Sequence, residues 1–379
     1  MLYSEYLNNC ADDILKVYQE FDETIIKDIC QRIAKINFIS PSSAYQIMRL
    51  QEAGMIYNNI ITEISKASGI SIKKTKKLFK DAGVEALKVD DGIYKEAGLN
   101  PLPFRQSKTM VNILQAGLIK TNGVMKNLTM TTAVSSQNAF IESSNLAYIQ
   151  VTTGAMDYKS AIYKAVKNIC DKGIKVLYPS GRSYSLYSAM RSTVLTGVNQ
   201  TCGVLQNSRA NEMGCDLVET TAHAGARPEH AVWQGKVFSL SGKSDKYPDF
   251  KSSTGYGEPS GLCGCNCRHS YYPFFEGLSD EAYPREKLNE YLNKTVMYKG
   301  EKISYYEATQ KQRELERNIR GVKRMIVGVN SAFKEDPNNL ELKRELIVQN
   351  NKLKFNQNRL RNLLKETGLT KDPSRFQYA

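Results

Sequence analysis

The strongest constraint on the fold is a heptad pattern in the last quarter of the chain. Apolar residues alternate at intervals of four and three, the spacing of a helical seam, at Leu315, Ile319, Val322, Ile326, Val329 and Phe333. After the turn "KEDPNN", the same spacing recurs at Leu346, Asn350, Leu353, Gln357, Leu360 and Leu364. The pattern predicts an antiparallel helical hairpin, in which Asn350 and Gln357 would be polar seam positions that fix its register.

The first 171 residues are predicted to be mostly helical. Apolar residues follow one helix face at Leu15, Val17, Tyr18, Phe21, Ile25, Ile26, Ile29 and Ile33. The segment "SPSSAYQIMRLQEAG" predicts a second helix that ends near Gly54, and "SGISIKKTKKLFKDAG" predicts a short basic helix that ends at Gly83. The two prolines in 98–106 indicate an elbow, and helical spacing then resumes with a polar interruption at 127–137.

The region 172–280 has a different sequence pattern. It combines one long helical stretch, about 183–213, with the strand patterns "CDLVETTA" and "GKVFSLSG" and a Gly/Ser/Pro-rich loop at 241–262. We therefore predict an α+β fold with these parts: a helical amino-terminal region at 1–106, a helical connector at 107–171, a small α+β domain with a Cys/His-rich loop at 172–280, and a basic helical hairpin at 281–379.

The charge balance is strongly basic. The net charge is +13, and residues 281–379 hold 21 Lys and Arg against 13 Asp and Glu. Such a surface favours phosphate backbones, anionic membranes or acidic protein partners. The amino-terminal residues lack the pattern of a secretory signal, and we predict no membrane segment. The eight cysteines are then expected to be thiols or metal ligands of a protein made in a reducing cytoplasm.

One window collects the rarest residues of the chain. The segment "AHAGARPEHAVWQGKVFSL" contains His223, His230 and the only tryptophan, and "GLCGCNCRH" supplies Cys263, Cys265, Cys267 and His269. Thiolates and imidazoles are the ligands that zinc prefers, so a structural zinc ion is one interpretation.

Two further interpretations of the window stay open. The thiols and histidines can be buried structural groups, because the run lacks the C-x-x-C spacing of a zinc knuckle. A cysteine nucleophile with a histidine base is the enzymatic alternative. Its first candidates are Arg209, Glu212, His223, His230 and Cys267, although no spacing selects a catalytic pair.

The same window carries a resemblance to a known family. "ETTAHAGARPEHAVWQGKVFSLSG", followed by "GLCGCNCRHSYYPFFEG" and "YYEATQKQRELERNIRGVKR", resembles the phage minor capsid protein 2 family, which is allied to the Mu F-type head-morphogenesis proteins. Cys265 stands where that family more often has an aromatic residue. The motif residues are then Arg227, Trp233, Gly235, Asn266 and Arg268, and the candidate metal ligands are His223, His230, Cys263, Cys267 and His269.

The resemblance implies a structural role rather than an enzymatic one. It implies a minor head protein in the virion, located in the head interior or at the portal vertex, that takes part in head morphogenesis and, through nonspecific DNA contact, in DNA packaging or ejection. The implied partners are the portal protein, capsid or scaffold components and, through nonspecific contacts, phage DNA. The alternative is an enzyme or toxin-like effector that the phage head carries, with its centre in 209–269. A nucleic-acid-binding regulator rests only on charge and on the basic segment 71–80.

Overall fold

The computed structural model describes residues 1–36, 38 and 40–378. The described chain is mostly helical as far as residue 172. In chain order the elements are α1 (Ser4–Asn9), α2 (Asp12–Lys35), α3 (Ser42–Glu96), a 3-10 turn (Phe104–Gln106), α4 (Lys108–Thr152) and α5 (Tyr158–Lys172). The elbow predicted at 98–106 is confirmed as the connection between α3 and α4.

Short strands and helices alternate in the centre, and long helices return near the carboxyl terminus. The central elements are β1 (Lys175–Leu177), β2 (Ser183–Ser185), α6 (Leu186–Glu212), β3 (Leu217–Thr220), α7 (Pro228–Ala231), β4 (Val237–Ser239), α8 (Phe250–Thr254) and β5 (Tyr271–Pro273). They are followed by α9 (Arg285–Asn293), β6 (Thr295–Tyr298), β7 (Glu301–Ser304), α10 (Tyr305–Glu335), α11 (Leu340–Thr367) and a 3-10 turn (Pro373–Phe376). The predicted α+β class, mostly helical with small antiparallel sheets, is confirmed.

The chain forms two compact units, each built from three separate segments. The first contains Met1–Ile14, Ile72–Met125 and Arg191–Gln310, and the second contains Leu15–Ser71, Lys126–Met190 and the chain from Lys311 onward. The boundaries fall within α2, α3, α4, α6 and α10. The four-part division drawn from composition stays a prediction.

The first unit carries the three-stranded sheet and the Cys/His-rich loop. Strand β3 is central and pairs antiparallel with β4 and β5, with Val218 opposite Phe238 and Glu219 opposite Tyr272. The sheet contributes to a buried cluster with the loop: Val218, Trp233, Phe238, Phe250, Leu262, Cys263, Cys267 and Tyr271. The strands predicted from "CDLVETTA" and "GKVFSLSG" are therefore confirmed.

Helices of the first unit approach each other closely at glycines. A Cβ atom on Gly117 of α4 would lie 2.7 Å from Cγ2 of Thr201 in α6, and one on Gly197 of α6 would lie 2.9 Å from Cγ2 of Thr121 in α4. The contact is reciprocal, because each helix places a glycine against a threonine of the other. The missing side chains allow the two backbones to come together.

The prediction that glycines end helices in the first hundred residues is wrong. Gly54 and Gly83 both lie inside α3. A helical glycine costs about 0.5–1 kcal/mol relative to alanine, which tertiary packing offsets in a long helix. At Gly83 the packing is close, because a Cβ would lie 2.7 Å from a methyl carbon of Leu114.

The predicted interruption at 127–137 is also absent from this described segment, since α4 runs through it. Two of its hydroxyls bond within the helix: Thr131 donates to the carbonyl of Leu128 at 2.8 Å and Thr132 to that of Thr129. These bonds satisfy the two threonine hydroxyls locally, so a Thr/Ser-rich stretch is compatible with a helix.

In the second unit, α10 and α11 follow each other across the predicted short turn, but the predicted polar register of α11 is wrong. Asn350 and Gln357 are exposed, whereas Glu345 and Gln349 are buried. The reason is the packing partner of α11: Tyr163 of α5 donates to Glu345 at 2.8 Å. This polar contact turns a different face of the helix inward than the heptad pattern favours.

Candidate functional site

The candidate site lies where two loops of the first unit meet. One loop follows β3 and contains α7, and the other precedes β5. From these loops come His230, Cys267 and His269, which we call the His–Cys cluster. Nδ1 of His230 lies 3.4 Å from Nδ1 of His269, and Sγ of Cys267 lies 3.7 Å from each of these nitrogens. Among the described residues, these three side chains form the group with metal-ligand spacing.

The loop that carries Cys267 is held in an unusual conformation. Cys263 and Asn266 adopt positive φ angles of 59° and 55°, which non-glycine residues rarely do. Gly264 has no space for a side chain, because a Cβ would lie 2.8 Å from the carbonyl oxygen of Glu258. Asn199 of α6 fixes the end of the loop by donating to the carbonyls of Cys267 and His269 at 3.2 and 3.1 Å.

Burial controls the protonation of the cluster. His230, Cys267 and His269 have exposed fractions of 2%, 4% and 2%. Burial lowers the pKa of His230 and holds that of His269 well below its ordinary value, and nearby His223 and His230 lower the latter further. Both imidazoles are therefore neutral at neutral pH, which is the form that binds metals. Burial also raises the pKa of the Cys267 thiol.

The other two predicted metal ligands lie next to the cluster but outside it. The ring of His223 stacks on that of His269 with a centroid separation of 4.3 Å, and its Nδ1 lies 3.0 Å from the carbonyl oxygen of Ala224. Cys263 is buried in the surrounding apolar cluster, and burial raises its pKa well above the ordinary value. Cys265, in the same loop, is exposed.

Three of the five motif residues hold the two loops. Arg227 donates to the carbonyl of Cys265 at 2.9 Å, and Arg268 donates to that of Gly225 at 3.4 Å. Trp233 is buried, with its ring 4.7 Å from that of His230 and 4.8 Å from that of His269. Gly235, another motif residue, has a φ of 64°, and a Cβ there would lie 2.5 Å from a methyl carbon of Leu288.

The structure adds residues that the sequence did not indicate. Gln234 accepts hydrogen bonds from the backbone N–H of His223 and from Nε2 of His269, both at 3.1 Å. The carbonyl of Ser260 accepts from Nε2 of His230 at 2.8 Å. No spacing or composition signal distinguishes Gln234, Ser260 or Asn199 from ordinary polar residues, so only the folded geometry identifies them.

Similarity to known proteins identifies the family of this chain. The family described as phage minor capsid protein 2 matches residues 2–365. The chain belongs to the phage minor capsid protein 2 family. A relative described as a structural protein of Lactococcus phage LL-H is 25% identical over 293 residues, which covers 73% of this chain and 75% of the relative. No solved structure matches.

Membership confirms the resemblance read from the window and makes this minor capsid protein a structural protein of a phage. The geometry also bears on the enzymatic candidates. Arg209 is completely buried and forms ion pairs of 3.0 Å with Asp91 and Glu212. Arg209 and Glu212 thus have a structural pairing, and Cys267 is shielded from solvent with a raised pKa, opposite to what a reactive nucleophile requires. That the chain is not an enzyme stays a prediction.

Proposed function

We propose that this minor capsid protein is a portal-associated component of the phage head, active in head morphogenesis and in nonspecific contact with phage DNA. The observation that carries the proposal is the family match over nearly the whole chain. The relative from Lactococcus phage LL-H, described as a structural protein, supports a place in the virion. No described helix has the length and apolar character required to span a bilayer.

The basic segment of α3 supports DNA contact. Lys73, Lys76, Lys77 and Lys80 are exposed and recur at helical spacing on one face of the first unit. From Lys73 to Lys80 this face extends about 10 Å along the helix axis. A row of ammonium groups of this length can neutralise several neighbouring phosphates without reading the base sequence.

An exposed apolar row on α11 supports contact with a protein of the head. Leu340, Ile347, Val348 and Phe355 are all exposed. They form two pairs with a spacing of seven residues, Leu340 with Ile347 and Val348 with Phe355, which places all four on one side of the helix. Exposed apolar rows of this kind mark protein interfaces. We assign this row to the portal protein of the same phage, because a partner helix can cover it with a matching seam.

Salt-dependent binding of double-stranded DNA tests the DNA contact. Removal of one lysine–phosphate pair should flatten the slope of log affinity against log salt concentration by about 0.9. Replacement of all four lysines of α3 by glutamine should therefore flatten this slope by up to about 3–4. The matched control removes the same charge from exposed lysines of α11: Lys343, Lys352, Lys354 and Lys365. Absence of binding even at low salt would refute the DNA contact and leave acidic proteins as the partners of the basic surface.

Co-purification with the portal protein tests the protein contact. The variants Ile347→Glu and Phe355→Glu should each release the portal protein, because a charge replaces an apolar anchor. Ile119→Glu is the control, since Ile119 is also exposed but lies on α4 in the first unit. Retention of the portal protein by all three variants, or its absence with the unmodified chain, would contradict the assignment.

A further inference from the structure

The hydrogen bonds around the His–Cys cluster fix the tautomer of His230. Its Nε2 lies 2.8 Å from the carbonyl oxygen of Ser260, and a carbonyl oxygen can only accept. Nε2 therefore carries the hydrogen. Nδ1 of this tautomer has an unprotonated lone pair, and it faces Nδ1 of His269 and Sγ of Cys267.

The tautomer of His269 is fixed through Gln234. The backbone N–H of His223 donates to the side chain of Gln234 at 3.1 Å, which identifies the atom on that side as the amide oxygen. This oxygen also accepts from Nε2 of His269 at 3.1 Å. Nδ1 of His269 is then the second unprotonated nitrogen that faces the cluster.

In the part of the chain that the structure describes, the hydrogens around the cluster cannot satisfy both nitrogens. The two Nδ1 atoms are 3.4 Å apart, and each needs a donor. The thiol of Cys267 holds one hydrogen and lies 3.7 Å from both, so it serves one nitrogen and leaves the other as a buried acceptor without a hydrogen. Buried acceptors of this kind are disfavoured, and a cation between the three atoms removes the conflict.

The spacing of the three atoms matches a tetrahedral ion. With zinc–nitrogen bonds of about 2.05 Å and a zinc–sulfur bond of about 2.3 Å, tetrahedral angles separate two nitrogens by about 3.3 Å and nitrogen from sulfur by about 3.6 Å. The cluster has 3.4 Å for the first separation and 3.7 Å for both of the others. A thiolate with two imidazoles is also a ligand set that suits zinc rather than magnesium or calcium.

We propose that His230, Cys267 and His269 bind one zinc ion, with a water molecule as the fourth ligand. Binding releases the thiol proton of Cys267 to solvent and leaves both histidines neutral. The backbone N–H of His269, 3.4 Å from the sulfur, stabilises the resulting thiolate. Gln234 and Ser260 orient the two imidazoles, as outer partners do in zinc sites. The ion ties the loop after β3 to the loop before β5.

Metal analysis of the full chain, purified under reducing conditions without a chelator, tests the site. We expect about one zinc per chain, and we expect Cys267→Ser to bind none. The controls are Cys265→Ser, an exposed thiol of the same loop, and Cys263→Ser, a buried thiol outside the cluster; both should retain the zinc. Absence of zinc from the Cys263 variant, with the fold intact by circular dichroism, would overturn the three-ligand assignment.

Cobalt substitution of the unmodified chain keeps the test decisive even where a ligand variant does not fold. After zinc removal, Co²⁺ should give the intense visible bands of a tetrahedral site and a thiolate charge-transfer band in the near ultraviolet. Gln234→Leu should weaken binding about 10–100-fold by freeing the ring of His269, and Gln234→Glu, which keeps the acceptor, should restore it. Purified protein without zinc and without these cobalt bands would refute the proposal.

Discussion

The close approach of α4 and α6 gives a prediction whose size follows from the structure. Gly117→Ala introduces a Cβ that would lie 2.7 Å from Cγ2 and 2.9 Å from Cβ of Thr201, so the helices must move apart. Such overpacking costs about 1–3 kcal/mol, against about 0.5–1 kcal/mol that alanine gains over glycine within a helix. Gly123→Ala, on the same helix with no atom within 4 Å, should show the gain alone.

The difference between these two variants measures the packing cost directly. At about 2–4 °C per kcal/mol for domains of 150–250 residues, the melting temperature of Gly117→Ala should lie about 2–12 °C below that of Gly123→Ala. Thr201→Ala removes two of the three crowded atoms, so the double variant should recover about 0.5–3 kcal/mol relative to additivity. Equal melting temperatures for the two glycine variants, with no coupling to Thr201, would refute the close helix contact.

Three further predictions concern the second unit. Gly328→Ala should lower the midpoint of urea unfolding because its Cβ would overlap Cys170 and Cys30, whereas Gly321→Ala on the same helix, with open space around it, should raise the midpoint slightly. Asn339→Ala should destabilise the chain by about 2 kcal/mol in the same assay, since Asn339 caps α11 and donates to a backbone carbonyl of α5; an unchanged midpoint would contradict this. Burial raises the pKa of Asp22, so this carboxyl binds a proton more tightly in the folded chain than in the unfolded chain. The stability that Asp22 contributes is therefore present below the unfolded pKa of about 3.9 and is lost as the pH rises through the folded pKa. Asp22→Asn should therefore gain stability relative to the unmodified chain as the pH increases in a series of unfolding curves, and a constant difference would show that the reasoning is wrong.

Local patterns in the sequence were sufficient for much of the fold. The heptad spacing of Leu315, Ile319 and Val329 predicts a helix whose seam is buried, and the structure confirms these three positions in α10. The alternation in "CDLVETTA" likewise predicts β3. These predictions succeed because residues three, four or two positions apart have a fixed geometric relation within a helix or a strand.

The sequence also located the candidate site, because it concentrated the histidines and thiols in one window. It could not select His230, Cys267 and His269 from five candidate ligands, nor indicate that Gln234 and Ser260 fix the two tautomers. Likewise, nothing local shows that Gly54 and Gly83 continue a helix or that Glu345 faces inward. Each of these outcomes depends on a contact between segments far apart in the chain. Local sequence patterns predict most helices and strands and show which thiols and histidines are present. Tertiary packing selects the side chains that meet, because the free energy of those contacts exceeds the local preferences of the residues that make them.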